Sequence, residues 1–468
     1  MKLFFPLLII TTLLCLFSCK KDNLLDDSSA ILQFSTDTVK FDTVFTKIGT
    51  TTHYFTAKNP YKKDLLVSSI YLATGNNSFF RMNVDGESGI IFSDVIIPAQ
   101  DSIFIFVEAN IDPTNQGNPM VIQDSIVFMT NGNTQDIDLV AWGQDVHLID
   151  GEIVQTQIWE NDKPYLIYNS MLIDTLHTLT IKQGCRLHFH HNSSMYVKGT
   201  LKIEGDVTEP VFFQGDRLES FYDDNPGQWG YIHILPGSFD NNINYAVIKN
   251  AIIGIQVDTF VTESAPTLII SNSIIENMNA AALFAQGSSV VASNCVFANC
   301  GQYAVALTIG GNYEFSHCTV ANYWNHSKRS TPSLLLNNYY KDVYGVIQVR
   351  SLNATFANSI VYGNEDLELG LSMYEGTEYD FTYKFDHCLL KVNDGFDISN
   401  TNQYVNIVKN GLPNFVSTSS PFDYQLDTLS GAKDKGSIEW ANYFPLDLKQ
   451  ESRLLDIAPD LGAFERIE

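Results

Sequence analysis

The sequence predicts an all-β protein in two parts, a β-sandwich over residues 31–147 and a parallel β-helix over residues 148–468. Two observations carry this reading. The first part alternates apolar and polar residues with period two in short runs, each closed by turn-forming residues. The second part repeats itself at intervals near 22 residues, with no helical spacing between the repeats. The composition allows both. Of the 468 residues 45% are hydrophobic and 17% charged, enough apolar surface for a large core and too little charge for wholesale disorder.

Residues 1–19 stand outside the fold. Lys2 precedes an apolar stretch, 3–17, that is shorter than the roughly 20 residues of a membrane-spanning helix and suits a secretory signal. The stretch ends in Leu16-Phe17-Ser18-Cys19, which resembles a bacterial lipobox. The resemblance implies a lipoprotein signal peptide over 1–19, with Cys19 as the lipidated mature N-terminus. Residues 20–30 are polar (Lys20, Lys21, Asp22, Asn23, Asp26, Asp27, Ser28, Ser29) and read as a flexible tether. A dozen such residues reach roughly 40 Å. The basic-acidic run is similar to surface-export signals of Bacteroidetes lipoproteins. It implies an outer-membrane lipid anchor, with the cell surface preferred over the periplasmic face. Of seven cysteines, Cys185, Cys295, Cys300, Cys318 and Cys388 lie beyond Cys15 and Cys19, and none has a CxxC or Cys/His metal spacing.

In the first part, strands are expected at 39–45, 52–57, 65–72, 102–109, 124–130 and 136–141. Turns are expected at Asn59-Pro60, 75–77, Asp85-Gly86, Pro98, Asp112-Pro113 and Asn131-Gly132. Asn131-Gly132 is the strongest hairpin signal, because both residues accept the positive φ of a type I′ turn. About seven strands with frequent turns make a sandwich. His53, alone in a strand, is expected to pack or face solvent rather than to ligate. The segments Lys58-Asn59-Pro60, Ile97-Pro98-Ala99-Gln100-Asp101-Ser102 and Thr130-Asn131-Gly132 leading to Trp142-Gly143 resemble bacterial immunoglobulin-like domains of the spindle-associated and major-sperm-protein type. That resemblance implies an immunoglobulin-like spacer or binding module.

In the second part six segments share one pattern: Asn or His, then Ala, Ser or Cys, then two mostly apolar residues. The Asn/His positions are Asn250, Asn272, Asn294, His317, Asn358 and His387. Coils of about 22 residues would stack equivalent positions about 4.8 Å apart as a ladder, so residues 250, 272 and 294 are expected to stand in one column. Asn suits a tight interior turn, and the small residue after it suits a crowded bend. Cys295 and Cys318 should then stack in neighbouring coils, as small buried residues or as a disulfide. His317 and His387 are read as turn residues. Earlier coils show at 179–184, 185–190, 194–199, 200–205 and 210–215. His188 and His190 share a strand face, but no third ligand is near and no metal site is expected.

These repeats, with Gly227-Gln-Trp229-Gly-Tyr-Ile232, resemble right-handed parallel β-helix proteins of the pectate-lyase-like superfamily. The run 431–436 with Asp447, Arg453 and 459–465 is similar to the closing segment of bacterial surface β-helices. The resemblance implies a right-handed solenoid and a structural Trp229. It also implies a C-terminal cap in which Asp434, Arg453, Asp460 and Glu465 form a buried network over the last coil.

Loops on a rigid scaffold carry function more often than the scaffold does. Extra residues fall within 322–346 and around 365–378, and a third loop spans 217–228. The candidate ligand-binding residues are Arg217, Glu219, Tyr222, Asp223 and Asp224 in one loop and Tyr323, Trp324, Lys328 and Arg329 in another. Aromatic rings stack on sugar faces while charged and amide groups bond the hydroxyls. Packing of these loops onto the coil is the competing reading. Of the motifs of polygalacturonase-like hydrolases, which work with clustered carboxyls, only Asp223-Asp224 is present. Pectate-lyase-like chemistry needs Ca²⁺ on carboxylates and a basic residue. Lys328, Arg329 and Arg350 are candidate bases, without a matching Asp cluster.

A net charge of −25 argues against nucleic acid and disfavours polyanionic substrates. The expectation is a monomeric, membrane-anchored extracytoplasmic lipoprotein that binds glycan or a surface protein, or is structural, without catalysis. The alternative is a polysaccharide lyase or glycoside hydrolase. No cofactor is expected, and Ca²⁺ enters only with the lyase alternative. An enzyme would gather ionisable groups in one groove.

Overall fold

A computed structural model describes residues 24–46, 48–112, 120–258, 266–376, 378–455 and 457–467. Cys19 with the rest of the signal segment, tether residues 20–23 and Pro113 of one expected turn lie outside the described residues. The chain divides into two compact units between Asp145 and Val146. Among the described residues no helix is long and apolar enough to cross a membrane.

The first unit is a sandwich of two five-stranded sheets. One has the order Gln33–Phe34, His53–Lys58, Ser102–Ala109, Phe80–Val84, Glu87–Gly89. The other has the order Thr38–Phe45, Asn133–Gln144, Met120–Thr130, Leu65–Leu72, Ile91–Ile97. Alternation drives it: Ile103, Ile105, Val107 and Ala109 point inward from one strand, and Phe41, Phe55, Phe80 and Phe128 fill the space between the sheets. The Asn131-Gly132 turn has φ of 48° and 86° and joins two strands paired from Thr130 and Asn133. Four strands escaped the sequence reading. The clearest is Ile91–Ile97, which carries Asp94 at φ 55° and leaves Ile91 and Ile96 exposed, so its alternation is broken. His53 packs against Phe41, with ring centroids 4.7 Å apart and the rings tilted at 56°.

The expected flexible tether is corrected from residue 24 onward. Leu25 N donates to Asp64 O at 2.8 Å, and Ala30 is buried. Asn131 Nδ2 donates to Leu25 O at 2.7 Å and Asn133 Nδ2 to Ser28 O at 2.7 Å. Gln135 exchanges two bonds with the Leu32 backbone. Polar composition hid this docking, because the side-chain amides that hold it, Asn131, Asn133 and Gln135, lie more than 100 residues away.

The second unit winds through three parallel sheets, here A, B and C. One coil contributes Leu268–Ser271 to A, Ile274–Met278 to B and the first part of Ala281–Ser293 to C. The interior is largely apolar. In sheet A, Phe315, Phe356 and Phe385 are in register, with ring centroids 4.8 and 5.0 Å apart. Trp229 is buried, stacks 4.3 Å from Phe189 and donates Nε1–H to Lys249 O at 2.9 Å.

A single residue with positive φ makes the corner from A to B in successive coils: Tyr245, Asn272, Asn294, His317, Asn358, His387 and Asn406, at 44–53°. The strand registers place these in one column. Asn250 does not belong to it. It begins a second column, the corner from B to C, with Asn277 and Asn299. The true neighbour of Asn272 is Tyr245, 27 residues earlier, because this coil is longer between Asp258 and Thr267. Both corners use an Asn before small or apolar residues, so equal spacing mistook one for the other. Asn294 Nδ2 donates to Asn272 Oδ1 at 3.1 Å and Asn277 Nδ2 to Asn250 Oδ1 at 2.7 Å, one bond in each column. His317 fits because burial, with Arg453 nearby, holds its imidazole neutral well below the usual range, and Nε2 lies 3.2 Å from Asn358 Nδ2. A small residue follows every corner of the column up to His387 and faces inward, with Ile407 in its place after Asn406, and Cys295, Cys318 and Cys388 are buried and free.

The C-terminal segment is corrected in place. It runs as a strap along the outer face of sheet B instead of plugging the last coil. Leu448, Ala463 and Phe464 pack on Val296, Ala298 and Ala321, and Leu426 and Leu461 pack on Ile360 and Leu389. Gly462, at φ 93°, lies so close that a Cβ would meet Thr319 Oγ1 at 2.6 Å. The fully buried Arg453 ties strap to corner: Nη2 donates to Asn294 Oδ1 at 3.2 Å and to Gly462 O at 3.1 Å, and Nη1 to Glu465 Oε2 at 3.3 Å. Asp447 accepts from Glu465 N at 2.8 Å, and Asp460 from Asp434 N at 2.8 Å. Asp434 thus joins through its backbone.

Two predictions follow from the strap. Arg453 is the buried donor to Asn294 Oδ1, Gly462 O and Glu465 Oε2, and stranding buried acceptors costs about 1–3 kcal/mol each, so Arg453→Met should lower the calorimetric midpoint of the solenoid and free residues 431–467 to protease. Burial and the neighbouring Asp460 raise the Glu465 carboxyl to about 8. Its folded pKa exceeds the ordinary value, so its contribution is full below the usual carboxylate range and is lost as pH rises through about 8. Glu465→Gln should flatten that part of the stability–pH curve, read by chemical denaturation between pH 5 and 9.

Candidate functional site

The loop at 217–228 is held by its backbone. Asn250 Nδ2 donates to Asp223 O at 2.8 Å, Asn277 Nδ2 to Asp224 O at 2.7 Å and Gln228 Nε2 to Tyr222 O at 2.6 Å. Its side chains largely satisfy one another. Arg217 Nη2 donates to Glu219 Oε1 at 2.7 Å, and the guanidinium lies 4.2 Å over the Tyr222 ring. The Asp224 carboxylate accepts from Ser420 Oγ, while the Asp223 side chain is exposed. The cavity left between Gln214, Arg217, Tyr222, Asp223 and Lys249 is about 50 Å³, room for a few waters and not for a sugar ring. Glu276, in register with Lys249, is raised to about 7 by burial, with Asp224 adding to the effect.

Three of the four candidates in the second loop are packing residues. Arg329 and Glu368 form a fully buried ion pair, with Nη2–Oε1 at 2.7 Å and Nη1–Oε2 at 2.9 Å. Glu368 Oε2 also accepts from Ser333 N and Oγ, at 2.8 and 2.7 Å. Trp324 is buried and donates Nε1–H to Ser327 Oγ at 2.9 Å. Tyr323 packs between Tyr362 and Phe415, where burial pushes its phenol up. Lys328 alone is exposed. His188 and His190 also part company. His188 is buried with Nδ1 3.1 Å from Gly215 O, and its imidazole is lowered to about 4 by burial. His190 Nδ1 lies 2.7 Å from Asp216 Oδ2, and its ring is stacked on Tyr168. Among the described residues no group of three or more His, Cys, Asp or Glu is placed to hold a metal ion.

The structure assembles a different cluster on the outer face of sheet C. Met195 and Val197, Ile232 and Ile234, and Ile255 and Val257 point inward from three successive strands. Period two therefore turns Tyr196, His233 and Gln256 outward, and the register aligns them in one row. Tyr231 and Asp258 flank the row two residues away. Tyr196 OH and Tyr231 OH are 3.3 Å apart, with their rings edge to face. The Tyr231 ring stands edge to face on His233, centroids 5.5 Å apart. His233 Nε2 lies 2.7 Å from Asp258 Oδ2, which also accepts from Gln256 Nε2 at 2.7 Å. The hydrogen bond to Tyr196, then burial, raises the Tyr231 phenol to about 12, so it is a neutral donor at ordinary pH. His233 Nδ1 and Asp258 Oδ1 are buried without partners. The dyad thus holds ring orientation while its remaining basic atoms are shielded from a substrate.

Sequence reading missed these residues because each occupies an ordinary outward position and they lie up to 62 residues apart. Only the stacking register brings them together. For the second loop, Arg329→Met should cost about 3–5 kcal/mol by stranding Glu368 and expose 323–333 to limited proteolysis. Lys328→Ala should stay within about 0.5 kcal/mol of the parent in the same denaturation assay.

With this geometry in hand, comparison adds the handedness of the coil. Residues 238–412 match the family described as right handed beta helix region. No curated protein matches the chain. Among solved structures, the catalytic unit of a thermostable GH87 alpha-1,3-glucanase from Streptomyces thermodiastaticus strain HF3-3 is similar at 10% identity and a TM-score of 0.27, over 72% of this chain and 66% of that one. The Agl-KA catalytic domain is similar at 9% identity and a TM-score of 0.25, over 72% and 80%. A family 123 glycoside hydrolase from Clostridium perfringens is similar at 8% identity and a TM-score of 0.17, over 27% of this chain and 26% of that one. These superpositions are too slight to carry an argument about activity. What the family match establishes is a right-handed parallel β-helix.

Proposed function

We propose that this protein is a lipid-anchored, extracytoplasmic β-helix that binds glycan without cleaving it, through the Tyr196, Tyr231, His233, Gln256 and Asp258 face of sheet C. The single observation that carries the reading is the row itself: aromatic rings held edge to face beside amide and carboxylate groups on a rigid outer face. Rings receive the apolar faces of sugars, and the phenol hydroxyls and the Gln256 amide receive sugar hydroxyls, while the His233–Asp258 pair orients them. The buried free atoms of the His233–Asp258 dyad favour binding over proton transfer. The lipobox-like ending at Cys19 supports the anchor, and the polar run after it supports the outer membrane and its outer surface.

One observation favours the enzyme alternative. Glu276, a carboxyl that holds its proton to about 7, has Asp224 as neighbour, the pairing of acid and carboxylate that glycosidic hydrolysis uses. Against it, the Asp224 carboxylate is engaged by Ser420.

The test is a glycan-array screen of residues 20–468, with parallel incubations read by reducing ends and ultraviolet absorbance. Binding without product is expected, weakened about ten-fold or more by Tyr196→Ala or Tyr231→Ala, the loss of roughly 1.4 kcal/mol. Reducing ends that vanish in Glu276→Gln would replace this reading with a hydrolase, and absorbance of an unsaturated uronate with a lyase. Labelled palmitate should enter the parent chain in a bacterial host and fail to enter Cys19→Ala.

A further inference from the structure

A second surface, in the sandwich unit, has the makings of a ligand site that the solenoid does not use. Tyr54, Phe104 and Phe106 lie on the outer face of the sheet that contains His53–Lys58 and Ser102–Ala109. Tyr54 pairs directly with Phe106 across the strands. The three ring centroids are 5.8, 5.9 and 6.2 Å apart, and Phe104 and Phe106 are stacked at 21°. Beyond Phe106 the same row continues into Asn83, and the next row pairs Arg81 with Glu108. These residues line an open groove of about 450 Å³ together with Phe106, within the roughly 300–1,000 Å³ of small-ligand sites.

We propose that this platform and groove bind a neutral polysaccharide chain, independently of the sheet C face. The rings are 63%, 47% and 37% exposed and together offer roughly 300 Å², far below the about 800 Å² per partner of a stable protein interface. The groove carries one positive and one negative side chain beside an amide, so it has hydrogen-bonding groups and no net charge to attract an ionic ligand. A second copy of a chain with net charge −25, or a polyanionic glycan, would be repelled. What remains is a ligand with flat apolar faces edged by hydroxyls, whose rings lie on Tyr54, Phe104 and Phe106 and whose hydroxyls meet Asn83, Arg81 and Glu108.

The test is affinity electrophoresis of residues 20–468 through gels containing an α-glucan, a β-glucan, a mannan, a xylan or polygalacturonate. Retardation by at least one neutral polymer is expected, together with a ten-fold or greater rise in its dissociation constant for the Tyr54→Ala, Phe104→Ala double variant. Retardation by the polymer whose binding the Tyr54→Ala, Phe104→Ala variant weakens should persist in Tyr196→Ala, Tyr231→Ala, whatever glycan the sheet C face itself loses, which separates the two sites. Tyr54→Ala alone is the control should the double variant misfold, since Tyr54 is the most exposed ring. Unchanged affinity in both ring variants, retardation by polygalacturonate alone, or no retardation in any gel would overturn the proposal. Concentration-dependent dimerisation that the ring variants abolish in light scattering would overturn it in favour of self-association.

Discussion

The solenoid depends on one backbone constraint: a single left-handed residue must turn the chain from sheet A into sheet B in coil after coil. That conformation costs most residues about 1–2 kcal/mol, and Asn tolerates it best because its short amide bonds locally. With the corner fixed, the next residue faces the crowded interior and is small in all but the last coil, as at Cys295, Cys318, Ser359 and Cys388. The strands of sheet B then begin in register, and their outer face becomes the apolar bed on which the strap lies. His317 obeys the same constraint with different chemistry, as a neutral ring that continues the ladder to Asn358.

Two buried arginines then fasten the parts that leave the coil. Arg453 bonds the Asn294 corner and the strap together, and Arg329 clamps the 323–333 segment against Glu368. In each case a guanidinium fork bonds a carboxylate and backbone or amide oxygens at once, a geometry that a lysine would not reproduce. Burial, and then Asp460 beside it, make Glu465 retain its proton far above the ordinary range in spite of Arg453. Among these fastenings the loops that look most like binding loops in composition are spent on packing.

Ligand chemistry instead falls on flat sheet faces. On sheet C, three coils present Tyr196, His233 and Gln256 at one height. On the sandwich, paired strands present Tyr54 and Phe106. Both faces are rigid, so little side-chain freedom is lost on binding, the cost that weakens loop-borne sites.

The sequence by itself determined the all-β class, the hairpin at Asn131-Gly132, the solenoid and most of its corner column, because each follows from residue type and local period. The resemblance of the closing segment to that of surface β-helices grouped Arg453 with Glu465. The sequence did not determine that Asn250 turns a different corner, since coil length varies and two corners share one pattern. Nor did it show that residues 24–30 dock through Asn131 and Asn133, or that the closing network lies along the flank. The sheet C row was invisible for the same reason: which outward residues become neighbours is set by stacking register, and register is a property of the packed coils and not of any one of them.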